Sequence, residues 1–177
     1  METRITANEY FGMPETNRPA ELVYGVVKEP PAPLYGHQKA VGQLFYLLKM
    51  HVEQHHLGEV CVSPIDVVLD EAAALVVQPD VIFVSNERSS IIRNYIVGAP
   101  DVVVEVVSPG TEQRDRTVKL AWYRRYGVRE CWIVTPHTRT IDVVNCAGGT
   151  TESFTGSQAI RSRAVPGFTS SADDCLP

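Results

Sequence analysis

Asp101-Val-Val-Val-Glu-Val-Val107 is the most apolar stretch of the chain, with five valines in seven residues. It is too short for a helix and rich in β-branched side chains, so it reads as a strand buried on both faces. Glu105 breaks that pattern. An ionised carboxylate in such a strand costs several kcal/mol unless a metal, a cation or cleft water meets it. Strand alternation puts Asp101, Val103, Glu105 and Val107 on one face. Asp101 then lies about 13 Å from Glu105 at ~3.3 Å per residue, too far to share one ion. Glu105 fits a functional site and a structural ion pair with an arginine equally well.

Downstream, Ser108-Pro-Gly-Thr111 punctuates the strand. A helix is expected from there to about Tyr126, with Thr111 as N-cap and Gly127 as the residue past its end. At α-helical spacing Asp115, Lys119 and Trp122 share a face of it. Either Asp115 and Lys119 form an exposed pair, or the helix packs back on the sheet and Lys119 reaches the carboxylates. Cys131–Thr135 and Thr140–Asn145 read as a hairpin, and Glu152–Phe154 and Ala159–Val165 as weaker strands. Upstream, Ala74–Ser85 reads as one long strand-like run containing Gln78-Pro79-Asp80. Proline in a sheet marks an edge, a strand start or a bulge, and such places re-aim side chains. Asp80 is therefore a turn aspartate or, with Glu105 on a neighbouring strand, half of a two-carboxylate set suited to Mg²⁺.

Further out, Glu59–Val62 and Asp66–Leu69 are short strands. In His37–His56 the residues Ala40, Val41, Leu44, Phe45, Leu48 and Val52 recur at helical spacing. Glu21–Lys28 is a short strand ending at Pro30-Pro31-Ala-Pro33. Residues 1–20 read as an arm or short helix, 21–170 as the domain, and 171–177 as a tail. The whole is a mixed β-sheet flanked by helices, in the α/β class.

The 177 residues carry a net charge of −5. Residues 86–140 alone hold nine Lys/Arg against six Asp/Glu, a net of +3. A polyanion would meet the chain there, although a solvated helix face has the same composition. No apolar run approaches a membrane span, METRITANEY lacks a signal-peptide core, and the four cysteines are scattered, which points to a cytoplasmic protein with reduced thiols. His51-Val-Glu-Gln-His55 has zinc-helix spacing but lacks the HExxH order and a third ligand, so it reads as a helix-terminal pair. Trp122, Tyr123 and Tyr126 read as packing residues.

From Gln78 to Pro136 the sequence QPDVIFVS…VGAPDVVVEVVSPGTEQRDRTVKLAWYRRYGVRECWIVTP resembles the bacterial Uma-type restriction endonuclease family, a member of the PD-(D/E)XK phosphodiesterase superfamily. Glu21-Leu-Val-Tyr-Gly25, and Pro33 followed by His37, are similar to its upstream motifs. The resemblance implies a restriction-endonuclease-like core with extra β-hairpins and Mg²⁺-dependent hydrolysis of DNA, with Mn²⁺ able to substitute. Asp80 then matches the "PD" aspartate and Glu105 the "(D/E)" residue, and the Val106 carbonyl joins them as a metal ligand. The lysine expected two residues after Glu105 is absent, since Val107 stands there, and Lys119 matches a lysine on the following helix. Glu21, His37 and Asp115 match accessory positions. Ala20, Tyr24 and Val26 depart from the family's usual residues around Glu21. Arg114, Arg116, Arg124 and Arg125 are placed for backbone phosphates or for surface solvation. Cutting both strands of a duplex calls for two sites, hence a homodimer. The rival reading is a catalytically inactive module that keeps the fold for binding or assembly.

Overall fold

The computed structural model describes residues 3–14, 18–108 and 115–176. In chain order the elements are α1 (Ala7–Phe11), β1 (Glu21–Val23), β2 (Val26–Lys28), α2 (Tyr35–Gln54), β3 (Gly58–Val62), β4 (Val67–Asp70), β5 (Leu75–Val77) and β6 (Val81–Ser85). A 3₁₀ turn (Asn86–Ile91), β7 (Ile96–Val97) and β8 (Val102–Val106) follow. A π-helical turn (Asp115–Lys119) then leads into α3 (Leu120–Tyr126), β9 (Glu130–Thr135), β10 (Thr140–Asn145), β11 (Thr151–Thr155) and α4 (Ala172–Cys175).

The strands form two mixed sheets where the sequence suggests one. The larger has the order β11-β10-β9-β8-β6-β3 and the smaller β2-β1-β5-β4-β7. The central strand β8 runs parallel to β9 and antiparallel to β6. Its alternation sets the layers. Val102, Val104 and Val106 pack with Leu44, Leu48 and Val52 of α2 and with Trp132 and Val134 of β9. Val103 and Val107 pack instead with Leu120 and Tyr123 of α3 and with Val67, Leu75 and Val77 of the smaller sheet. The larger sheet is thus the middle layer, with α2 on one face and α3 plus the smaller sheet on the other. Glu105, on the odd-numbered side, is aimed into the second of these interfaces.

Two apparent single strands are each split. Glu21–Lys28 is the hairpin β1/β2, closed at Tyr24-Gly25, where both residues have positive φ (50° and 86°). That is the geometry a two-residue hairpin turn demands, and glycine at its second place supplies it at little cost. Ala74–Ser85 is β5 and β6, separated by Gln78-Pro79-Asp80 and belonging to different sheets. Pro79 cannot donate to a ladder, and the chain crosses from one sheet to the other at that point.

Ala159–Val165 is not a strand: Ala159 makes one isolated bridge to Ser171. Its job is local. Buried Glu130 accepts from Ser162 Oγ (2.6 Å), Arg163 N (2.7 Å), Ala164 N (3.3 Å) and Trp132 Nε1 (3.2 Å). Glu130→Gln turns one acceptor into a donor facing donors, a loss of about 2–3 kcal/mol. Thermal melting should show a fall of about 4–12 °C for a chain of this size. A fall under 2 °C would contradict this role. Ala7 of α1 is buried against the smaller sheet with Leu22 and Val76, and Cys175 and Leu176 join the α2 core.

A candidate active site where the chain changes sheets

Asp80 sits at the crossing, and β8 holds it from both backbone and side chain. Its N–H donates to the Val104 carbonyl (3.1 Å), and its Oδ2 accepts from the Val106 N–H (2.7 Å). The aspartate is thereby tied to the amide that follows Glu105. A strand residue's N–H and C=O point to the same side, so the Val106 carbonyl faces the Asp80 side of β8 as well. His37, in the first turn of α2, brings Nε2 to 3.4 Å from Asp80 Oδ2.

On the adjoining face, Lys119 Nζ lies 3.1 Å from both oxygens of Glu105 and 2.9 Å from Glu21 Oε1. All three are almost fully enclosed, at 6%, 3% and 4% exposure. Glu21 enters at the start of β1, and its Oε1 also accepts from Gln78 N (3.3 Å), on the same crossing as Asp80. Gln78 is fastened in turn, its Nε2 donating to Asp66 (2.9 Å) and its Oε1 accepting from Ala20 N (3.1 Å). The charged groups of β1, β8 and the helix after β8 therefore meet at one ammonium. An isolated buried lysine or carboxylate would be strongly disfavoured, and their meeting is what makes burial tolerable.

Tyr123 completes the cluster. Its hydroxyl donates to Glu105 Oε1 from a fully buried position. Burial first, and then the Glu105 charge, push this hydroxyl's pKa well above its ordinary value, so it stays protonated and donates. The sequence reading places Tyr123 among packing residues. The signal that marks it is its position four residues after Lys119, one helical turn on.

Within the described residues the expected helix departs from α geometry: Asp115–Lys119 is a π turn that leads into the α-helix Leu120–Tyr126. The α-helical spacing that put Asp115, Lys119 and Trp122 on one face therefore does not apply across 115–119. Lys119 and Tyr123 both donate to Glu105, while Trp122 meets Tyr24 edge-on at 5.9 Å between ring centroids. An exposed Asp115–Lys119 pair is excluded, because Lys119 is buried. Thr111 and Arg114 lie outside the described residues, as does the placement of the Asp115 side chain.

The remaining arginines separate. Arg116 donates to Asp142 Oδ2 (2.6 Å) and Thr135 Oγ1 (2.7 Å), so its guanidinium ties the π turn to β9 and β10. Arg124 and Arg125 are exposed in the last turn of α3, and Arg125 lies over the Tyr126 ring at 5.4 Å. They are about 8–9 Å further along the helix axis than Lys119. Asp101, just before β8, serves the other end: it pairs with Arg129 (2.9 Å) and accepts from Ser85 N (2.7 Å). His51 Nε2 contacts the Pro166 carbonyl at 2.9 Å.

Among the described residues no group of three or more His, Cys, Asp or Glu side chains is arranged to hold a metal. Magnesium does not require one. It takes hard oxygen ligands, uses one or two carboxylates, and fills its shell with water and phosphate oxygens. Asp80, Glu105 and the Val106 carbonyl are oxygen donors of that kind, and the Asp80–Val106 bond keeps two of the three adjacent. The donor chemistry fits.

The model of the Uma2 family, described as "Putative restriction endonuclease", matches residues 7–173. Among solved structures the chain is similar to the crystal structure of a "putative nuclease belonging to DUF820" from Anabaena variabilis, with a TM-score of 0.81, 19% identity and 97% of each chain covered. At that identity the likeness establishes the fold. No curated protein matches the chain. Among the described residues no helix is long and apolar enough to cross a membrane.

Proposed function

This chain belongs to the Uma2 family of putative restriction endonucleases, and from that premise we propose that it is a Mg²⁺-dependent endonuclease hydrolysing phosphodiester bonds in DNA. The observation that carries this reading is the tie between Asp80 and the amide next to Glu105, with Lys119 seated on Glu105 (2.7 Å and 3.1 Å). It joins two carboxylates from neighbouring strands and one ammonium from the following helix.

Asp80, Glu105 and the Val106 carbonyl would hold Mg²⁺, or Mn²⁺ in its place. When bound, the ion supplies polarisation of the scissile phosphate and a lowered pKa for an attached water. The protein's own groups do the rest. Lys119 presents N–H donors where negative charge grows on the phosphoryl oxygens, or orients the attacking water. Glu21 holds Lys119 alongside Glu105. His37 steadies Asp80 on its α2 side. Arg124 and Arg125 are free to lie along backbone phosphates further from the reacting bond, which would fix register without reading sequence. Cleavage of both strands would use two copies of the chain.

The test is nicking of supercoiled plasmid by the full chain with Mg²⁺ and then with Mn²⁺. Nicked and linear products are expected, with none in the presence of a chelator. Absence of cleavage with both ions, on supercoiled, linear and single-stranded DNA, would overturn the reading. One observation favours an inactive binding module instead: the Glu21–Lys119–Glu105 set is already internally paired and nearly enclosed. Salt-sensitive DNA binding without cleavage would be its result.

A further inference from the structure

Lys119 cannot hold its two carboxylates and a phosphate at full strength together. In this structure it spans both oxygens of Glu105 and one of Glu21. Any movement of its ammonium toward phosphate charge loosens its hold on Glu105. A lysine reaches its partner along a flexible four-carbon stem, whereas a tyrosine hydroxyl is fixed at the end of a rigid ring by two torsions. Tyr123 donates to Glu105 Oε1 from one helical turn beyond Lys119, and its ring is clamped in the core with Val103, Leu120, Cys131 and Ile133. Those neighbours are apolar, so packing alone would be met by phenylalanine. Among the described residues the acceptor its hydroxyl reaches is Glu105.

We propose that Tyr123 is a positioning residue for the hydrolysis, the donor that keeps the Glu105 carboxylate in its metal-holding orientation when Lys119 turns to the substrate. This rests on the hydrolytic reading above. The hydroxyl touches neither substrate nor ion. It limits rotation of the Glu105 carboxylate and anchors one oxygen toward the core, so the geometry of the acidic site does not depend on the lysine alone.

The test is Tyr123→Phe, compared with wild type and with Glu130→Gln, which weakens the fold on the other face of β9. Plasmid-nicking kinetics are measured well below every melting temperature. A fall in kcat of about 10- to 100-fold is expected with KM for DNA within twofold, whereas Glu130→Gln should keep both constants. In parallel, Mn²⁺ is titrated calorimetrically into each protein bound to a short non-hydrolysable duplex, and Tyr123→Phe should weaken Mn²⁺ at least threefold. A kcat within twofold of wild type, or a loss expressed in KM, would overturn the proposal. If wild type does not cut, the hydrolytic reading itself fails. In that case the Mn²⁺ titration still decides Tyr123, with equal affinities for variant and wild type overturning its role.

Discussion

Asp80→Asn is expected to reduce DNA cleavage by a factor of at least about 10³ while leaving the protein folded. The carboxylate's structural duty is to accept the Val106 N–H at 2.7 Å. An asparagine carbonyl oxygen can accept that bond in the same place, so the sheet crossing should survive and melting should shift by only a few degrees. What asparagine lacks is the negative charge that makes a carboxylate a strong ligand for a hard cation. The same variant therefore separates a supporting turn residue from a site residue. A folded Asp80→Asn protein that cuts at the wild-type rate would remove Asp80 from the site.

Lys119→Met should have two large effects. Methionine fills much of the same space but leaves Glu21 and Glu105 facing each other in a nearly enclosed setting. Removing one partner of a buried ion pair typically costs about 3–5 kcal/mol. For a chain of this size that is about 6–20 °C in melting temperature. Added Mg²⁺ should recover part of the loss, because a cation that binds the folded state stabilises it by mass action. Cleavage should fall about 10²- to 10³-fold, as when a donor to developing oxyanion charge is deleted. The fall in rate should exceed any loss of metal affinity, since Lys119 is not itself a metal ligand. Melting within 2 °C of wild type would show that the cluster does not depend on the lysine.

The parts of this fold that are legible in the sequence are those where one physical signal dominates. β8 announces itself because nearly every residue is β-branched. α2 does so because Val41, Leu44, Leu48 and Val52 recur on one face, and all four are buried in the structure. Asp80 and Glu105 stand out as charges in apolar runs. Other features depend on tertiary context. The proline at 79 marks a break but does not say that β5 and β6 lie in different sheets. The Tyr24-Gly25 turn is hidden because an aromatic at positive φ is not a turn signature. The π turn at 115–119 shifts the helix phase, so α-helical spacing does not carry from Asp115 to Lys119. Tyr123 was missed because an aromatic between apolar residues looks like packing, and its hydroxyl gains meaning only once Glu105 is placed beneath it.

The isolated basic stretch also resolves into different uses once folded. Arg116 and Arg129 are paired with Asp142 and Asp101, Arg129 while still exposed, and Arg124 and Arg125 are exposed in the last turn of α3. Charge counted along the chain therefore overstates the surface open to a polyanion.

The most direct measurement is calorimetric titration of Mg²⁺ into wild type and Glu105→Gln, each with a short non-hydrolysable duplex to complete the ion's shell, with plasmid nicking run on the same preparations. Wild type should bind the ion and nick the plasmid, and Glu105→Gln should lose both while keeping its fold. Equal Mg²⁺ binding and equal nicking in the two proteins would contradict a site built on Asp80 and Glu105.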